Sequence, residues 1–147
     1  MYISQKAIVK NVVIGHNSII LGPSIIGPRS FIDSNVIIGY PIRKTLLQLL
    51  ETDRNADLYR ELDEISRGTI IGSRVIIRSG SIIYERSIIE DNVETGHNVL
   101  IREECRVGKN SRIGSYSILD SGVAVSYTHL RAHETSLHLV CRLLLEK

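Results

Sequence analysis

The sequence predicts an all-β chain wound as a parallel β-helix of about five stacked coils, and three observations predict it. An aliphatic residue returns every sixth position at Ile8, Ile14, Ile20, Ile26, Ile32 and Ile38. It returns again at Ile71, Ile77, Ile83, Ile89, Ile101, Val107, Ile113 and Leu119, with Thr95 standing in once. A small residue follows four places later, from Val12, Ser18, Ser24 and Ser30 through Cys105 to Val123. Only 5 % of the 147 residues are aromatic and none is Trp, so the core must be built from Ile and Val, which suit strands. A short fixed period means stacked coils, because one repeat cannot bury its apolar side alone.

Taken three phrases to a coil, the fifteen phrases give a stack roughly 24 Å tall at strand spacing. Gly15, Gly27, Gly39, Gly72, Gly96, Gly108 and Gly114 all take the second place of their phrase, which suits a chain turning sharply between flat strands. The rhythm breaks between Ile38 and Ile71. It closes again if Ile38-Gly39-Tyr40 and Gly68-Thr69-Ile70 are two halves of one phrase, which leaves residues 41–67 as a 27-residue insertion at a corner. Within it, Leu46, Leu47, Leu49, Leu50, Leu58, Leu62 and Ile65 fall at helical spacing. One or two short amphipathic helices follow, whose apolar side packs on the coils or on a neighbouring subunit. Long excursions of this kind are often functional.

With the insertion removed, residues eighteen apart stack. One corner column then reads His16, Ser34, Ser79, His97, Ser115, and the outward place beside it reads Ile19, Ile37, Ile82, Leu100, Ile118. The other two faces acquire Glu94, Arg106 or Arg112 in their later coils. A continuous exposed aliphatic stripe marks an interaction surface. On a three-sided prism the economical arrangement is a homotrimer joined along this face; the alternative is that the insertion covers the stripe within one chain.

After Val125 the lattice stops. Ser126 to Lys147 holds three of the five histidines, and His129 and His133 sit four apart, a spacing that can place two ligands on one helix face. The segment resembles a translated sequencing-adapter tail, a scar to be set aside from fold reasoning. On that reading residues 1–125 are the β-helix domain, 126–147 are a non-repeat tail, and the natural chain continues with further coils. The alternative is a C-terminal helix capping the stack. A net charge of +2 with no Lys/Arg stripe excludes a nucleic-acid groove. The N-terminus lacks a signal-peptide core and no run reaches membrane-spanning length, so a cytoplasmic protein without membrane insertion is expected. Cys105 and Cys141 make no disulfide framework.

The chemical candidate is His97, in Thr95-Gly96-His97-Asn98-Val99-Leu100-Ile101. Thr95 is the one inward first-place residue that is not aliphatic, and Gly96 leaves the histidine uncrowded at a turn beside the proposed seam. A histidine titrating near neutrality can take a proton from an amine or hydroxyl attacking a thioester. A backbone N–H of a turn can serve the oxyanion. His16, in Ile14-Gly15-His16-Asn17, repeats the phrase but lacks the threonine and lies near the end of the stack. Arg102 is a candidate for a phosphate, Tyr40 and Tyr84 for a base or sugar ring. Glu94 is more readily a surface pair, and Cys105, pointing inward, is packing.

The repeat over residues 8–125 resembles the left-handed parallel β-helix of the hexapeptide acyltransferases, and it is this resemblance that supplies the left hand. Thr95-Gly96-His97-Asn98-Val99-Leu100-Ile101 is similar to the stretch around the general base of hexapeptide sugar N- and O-acyltransferases. The resemblance implies His97 as base with Asn98 as its companion; Thr95, Arg102 and Tyr40 are substrate-binding candidates read from the residues themselves. The resemblance also implies acetyl-CoA or another acyl-CoA as co-substrate, its pantetheine arm along the later coils, and an insertion that contacts the acceptor. An acyl-carrier protein is the alternative donor. A γ-type carbonic anhydrase needs three histidines at one zinc; outside the tail only His16 and His97 exist, three coils or about 14 Å apart, so no metal is expected. A non-catalytic scaffold on the same coils remains the rival, since fold does not imply function.

Overall fold

A computed structural model describes residues 1–51 and 57–126 and the backbone of 129–130. Its strands form three parallel sheets, the walls of a parallel β-helix. The first wall holds β1 (Tyr2–Ile3), β4 (Ile19–Ile20), β7 (Ile37–Tyr40), β10 (Ile82–Tyr84), β13 (Leu100–Ile101) and β16 (Ile118–Leu119). The second holds β2 (Ile8–Val9), β5 (Ile25–Ile26), β8 (Ile70–Ile71), β11 (Ile88–Ile89), β14 (Arg106–Val107) and β17 (Ala124–Val125). In the third are β3 (Val13–Ile14), β6 (Phe31–Ile32), β9 (Ile76–Ile77), β12 (Glu94–Thr95), β15 (Arg112–Ile113) and β18 (His129–Leu130).

Each strand contributes one residue outward and one inward. Ile20, Ile38, Ile77, Ile83, Ile89, Ile101 and Leu119 fill the axis with no exposure. Small residues ahead of the strands such as Ser18, Ser30, Ser81 and Ser87 are buried too, and their hydroxyls bond the adjacent coil. Ser18 Oγ donates to the Asp33 carbonyl at 2.6 Å and accepts from the Val36 N–H at 3.3 Å.

Three features depart from the sequence reading. Each wall has six strands, because β1 precedes the first phrase, β17 follows the last one, and β18 pairs with β15 beyond Val125. The phrase at Ile8 is out by one residue: Val9 aligns with Ile26, while Ile8 faces out at 56 % exposure. The turn between Val9 and Ile14 is one residue short, which an unbroken period of six conceals. Gly15, Gly27, Gly72 and Gly96 answer to a need other than turning, while Gly39 does hold a positive φ of 86°. At Gly96 a Cβ would run into the Ser115 backbone N and Oγ, so glycine there lets successive coils approach. Positive φ falls two places later, on residues such as Asn17 (61°), Asn35 (60°) and Asn98 (55°), a conformation Asn tolerates better than most.

The insertion forms α1 (Arg43–Leu50) and α2 (Leu58–Ile65). Its two roots are tied to one side chain: Glu85, 1 % exposed, accepts the Ile42 N–H at 2.9 Å and the Arg67 N–H at 2.7 Å. Helix α2 is held to the early coils by Asp63, which accepts from the Tyr2 hydroxyl (2.9 Å) and the Gly22 N–H (2.7 Å). Burial acts to raise the Asp63 carboxyl, but hydrogen bonds from Ser4, Gly22 and Tyr2 and the charge of Lys6 outweigh it and hold it below the usual range. Of the two helices only Leu62 is buried; Leu50 and Leu58 stay exposed at 79 % and 62 %. Of the leucines expected to pack on the coils or on a neighbouring subunit, Leu62 is buried and Leu46 and Leu49 of α1 are half-buried.

Candidate active site

The corner between the third and first walls carries the predicted histidine column, and backbone bonds tie its coils together. The Asn35 N–H donates to the His16 carbonyl, the Asn98 N–H to that of Ser79 and the Tyr116 N–H to that of His97, each at 2.9 Å. The side chains continue the same ladder. The His16 N–H reaches Ser34 Oγ at 3.1 Å, and the His97 N–H reaches Ser115 Oγ at 2.9 Å.

The two histidines differ in one respect that bears on chemistry. His97 Nδ1 shares a 2.8 Å hydrogen bond with Ser79 Oγ, one coil below, with the donor set by the tautomer. His97 is half-buried, His16 exposed. Serine below and serine above thus fix both the ring and the backbone of His97. With Nδ1 engaged, Nε2 is the ring nitrogen available to a reacting group.

Thr95 lies inside, 3 % exposed, and its Oγ1 accepts the Arg78 N–H at 3.3 Å. The pairing of β12 with β9 registers at Glu94↔Ile76 and does not continue to Thr95, so the hydroxyl takes over where the backbone ladder would run. The anomaly is real and sits two residues before His97, but it reaches the coil interior and not the surface. Asn98, exposed, is the left-handed corner residue, and its Oδ1 occupies the space above Gly80 that a Cβ would need.

Arg102 and Tyr40 are not brought to His97 within one chain. They occupy the opposite corner of the first wall, roughly 15 Å away at strand rise. There the Arg102 guanidinium lies 4.8 Å over the Tyr84 ring, beside Glu103 at 3.1 Å, and Tyr40 meets Tyr84 edge-on at 5.3 Å. Between the two corners, Ile19, Ile37, Ile82, Leu100 and Ile118 stack in register as one apolar stripe. Glu94 faces Arg112 at 3.8 Å across open surface. Burial pushes the Cys105 thiol up to about 11, which leaves it protonated at neutral pH and a poor nucleophile. Among the described residues no three His, Cys, Asp or Glu side chains converge as a metal site, and no helix is long and apolar enough to cross a membrane. The spacing of His129 and His133 lies outside the described side chains, as does most of the 126–147 segment.

Ser79 and Ser115 were legible as members of the column but not as partners of His97; the eighteen-residue offset on either side of His97 is the signal that finds them. Glu85 and Asp63 gave no periodic signal, because both serve an element outside the lattice.

Residues 86–121 match the bacterial transferase hexapeptide (six repeats) family. That span holds six strands, β11 to β16, one per repeat, together with His97, Ser115 and Tyr116. Comparison with curated protein sequences gives no match. Among solved structures the chain is similar to UDP-N-acetylglucosamine O-acyltransferase (LpxA) from Moraxella catarrhalis RH4, at 17 % identity and a TM-score of 0.26. The similarity covers 84 % of this chain and 64 % of that one, so the chain spans less than two thirds of its length.

Proposed function

We propose, for a chain whose repeats are those of the bacterial transferase hexapeptide family, that it moves an acyl group from an acyl-CoA to an amino or hydroxyl group of a sugar or nucleotide-linked sugar. The observation that carries this reading is His97: a half-buried imidazole, fixed through Nδ1 by Ser79, at a coil corner inside the matched repeats. With its Nδ1 proton donated to Ser79 Oγ, His97 holds a lone pair at Nε2. It takes the proton of the acceptor N–H or O–H as that atom attacks the thioester carbonyl carbon. The tetrahedral oxyanion is met by a backbone N–H of the corner. The C–S bond then breaks, and the departing thiolate takes the proton from His97, restoring the base. No covalent enzyme intermediate is required, in keeping with the unreactive Cys105.

The stripe of Ile19, Ile37, Ile82, Leu100 and Ile118 supports a homotrimer, since no charge interrupts it and Ile118 is 43 % exposed. A seam along this wall would set the Arg102–Tyr84–Tyr40 corner of one subunit facing its neighbour. The leucines of α1 are a second apolar surface for that contact. Acetyl-CoA is the first donor to test. Thiol release from acetyl-CoA, followed across a panel of amino sugars and nucleotide amino sugars, should rise above background with at least one acceptor. Silence with every acceptor, with both acetyl-CoA and an acyl-carrier-protein thioester, would leave the chain as a scaffold.

A further inference from the structure

Eleven described residues other than glycine hold a positive φ, and six of them are asparagine. Tyr116, at φ 66°, is the one aromatic among them. A bulky side chain in this region is a true outlier, since its Cβ crowds the following carbonyl. The coils repeat this corner place as Asn17, Asn35, Gly80 and Asn98 before Tyr116, while Arg29, Arg74, Arg86 and Glu104 hold the same conformation at the other two corners. Among the described residues no ring contact or side-chain hydrogen bond holds the tyrosine. It is 68 % exposed, and the described ring pairs, Tyr2–Tyr59 and Tyr40–Tyr84, leave it out. Residues held in sparsely populated backbone conformations concentrate at functional sites.

Its position says which site. The Tyr116 N–H donates to the His97 carbonyl at 2.9 Å, so the ring leaves the corner one coil, about 4.8 Å, above the proposed base. The imidazole leans the other way, toward Ser79. A ligand lying against both would be the molecule being acylated. The adenine of an acyl-CoA is the wrong candidate, because a whole pantetheine arm separates it from the thioester. A pyranose ring offers a face of C–H groups that matches an uncharged aromatic ring with an amphipathic edge.

We propose that Tyr116 is the platform on which the pyranose ring of the acceptor stacks, placing its amino or hydroxyl group at His97 Nε2. This deepens the acyl-transfer reading and rests on it for the identity of the acceptor, but it is tested by binding. Saturation-transfer NMR with methyl glucosaminide and with UDP-glucosamine would be compared for wild type, Tyr116→Phe and Tyr116→Asn, with uridine monophosphate as the base-only probe. Asn already occupies this place in three other coils, so Tyr116→Asn should fold and gain about 2–4 °C in Tm from relief of the backbone. Transfer to the pyranose protons should persist in Tyr116→Phe and fall at least fivefold in Tyr116→Asn. Equal transfer in wild type and Tyr116→Asn, transfer to the uracil alone, or no sugar signal in any protein would overturn the assignment. Sugar binding that depends on Tyr116 without any thiol release would keep this proposal and sink the acyl-transfer reading. Thiol release with an unchanged acceptor KM in Tyr116→Asn would do the reverse.

Discussion

Ser79 Oγ and His97 Nδ1 meet at 2.8 Å across two neighbouring coils, although eighteen residues separate them in the chain. The contact exists because both occupy the same corner place, so the winding of the coil itself aims the imidazole. Replacing Ser79 by Ala removes one hydrogen bond, about 1 kcal/mol, and leaves the ring free to turn. We expect kcat to fall about fivefold with Tm nearly unchanged. Ser79→Thr should restore much of the loss, and an unaltered kcat in Ser79→Ala would show that the ring is positioned by something else.

Gly96 keeps the His97 coil against the one that follows. In Gly96→Ala the new methyl meets the Ser115 backbone N and Oγ, and overpacking of this kind costs about 1–3 kcal/mol. The Ser115 hydroxyl also holds the His97 N–H, so the same change should disturb the site. Chemical denaturation and acyl transfer are expected to drop together, whereas Gly122→Ala, where nothing lies within 4 Å, should lose stability only through its positive φ and leave transfer intact.

Glu85 decides where the insertion leaves and rejoins the coil. Its carboxyl accepts from both Ile42 and Arg67, and Glu85→Ala leaves two donors without it, at a cost of about 2–5 kcal/mol. Amide exchange at Ile42 and Arg67 should accelerate together. Glu85→Gln, which keeps one acceptor oxygen, should accelerate exchange at one root only; protected amides in Glu85→Ala would contradict the clamp.

Asp63 gives the docking of α2 a pH dependence. Its carboxyl is depressed in the folded chain, so its contribution is complete above the unfolded value, about 3.9, and is lost as pH falls through the lower folded value. Wild type should lose more Tm than Asp63→Asn between pH 6 and pH 3. Parallel curves for the two proteins would assign the acid sensitivity elsewhere.

Much of this architecture was legible because one residue type recurs at one interval. Ile20, Ile38 and Ile83 announce the axis, and the column of His16, Ser34, Ser79, His97 and Ser115 follows by counting. Counting fails where the chain drops a residue, as between Val9 and Ile14, and where a short strand such as Tyr2–Ile3 carries no flanking phrase. Helical spacing located α1 and α2 but could not tell that Leu62 is buried while Leu50 is not, since burial depends on which side Asp63 and Glu85 pin toward the coils. Arg102 stands five residues from His97, yet strand β13 intervenes and puts them on separate corners. Tyr116 gives no signal in the sequence, because its positive φ is a property of the corner and not of the residue type.

The most direct test sets His97→Ala against His16→Ala in one acyl-transfer assay, with circular dichroism and Tm confirming that both fold. The two residues share a column and nearly the same phrase, and they differ in the Ser79 contact and the matched repeats around His97. We predict that kcat falls by about 10²–10⁴ in His97→Ala, the range of a general base, and changes less than twofold in His16→Ala. Turnover that survives in His97→Ala would keep the fold and remove the base from the account.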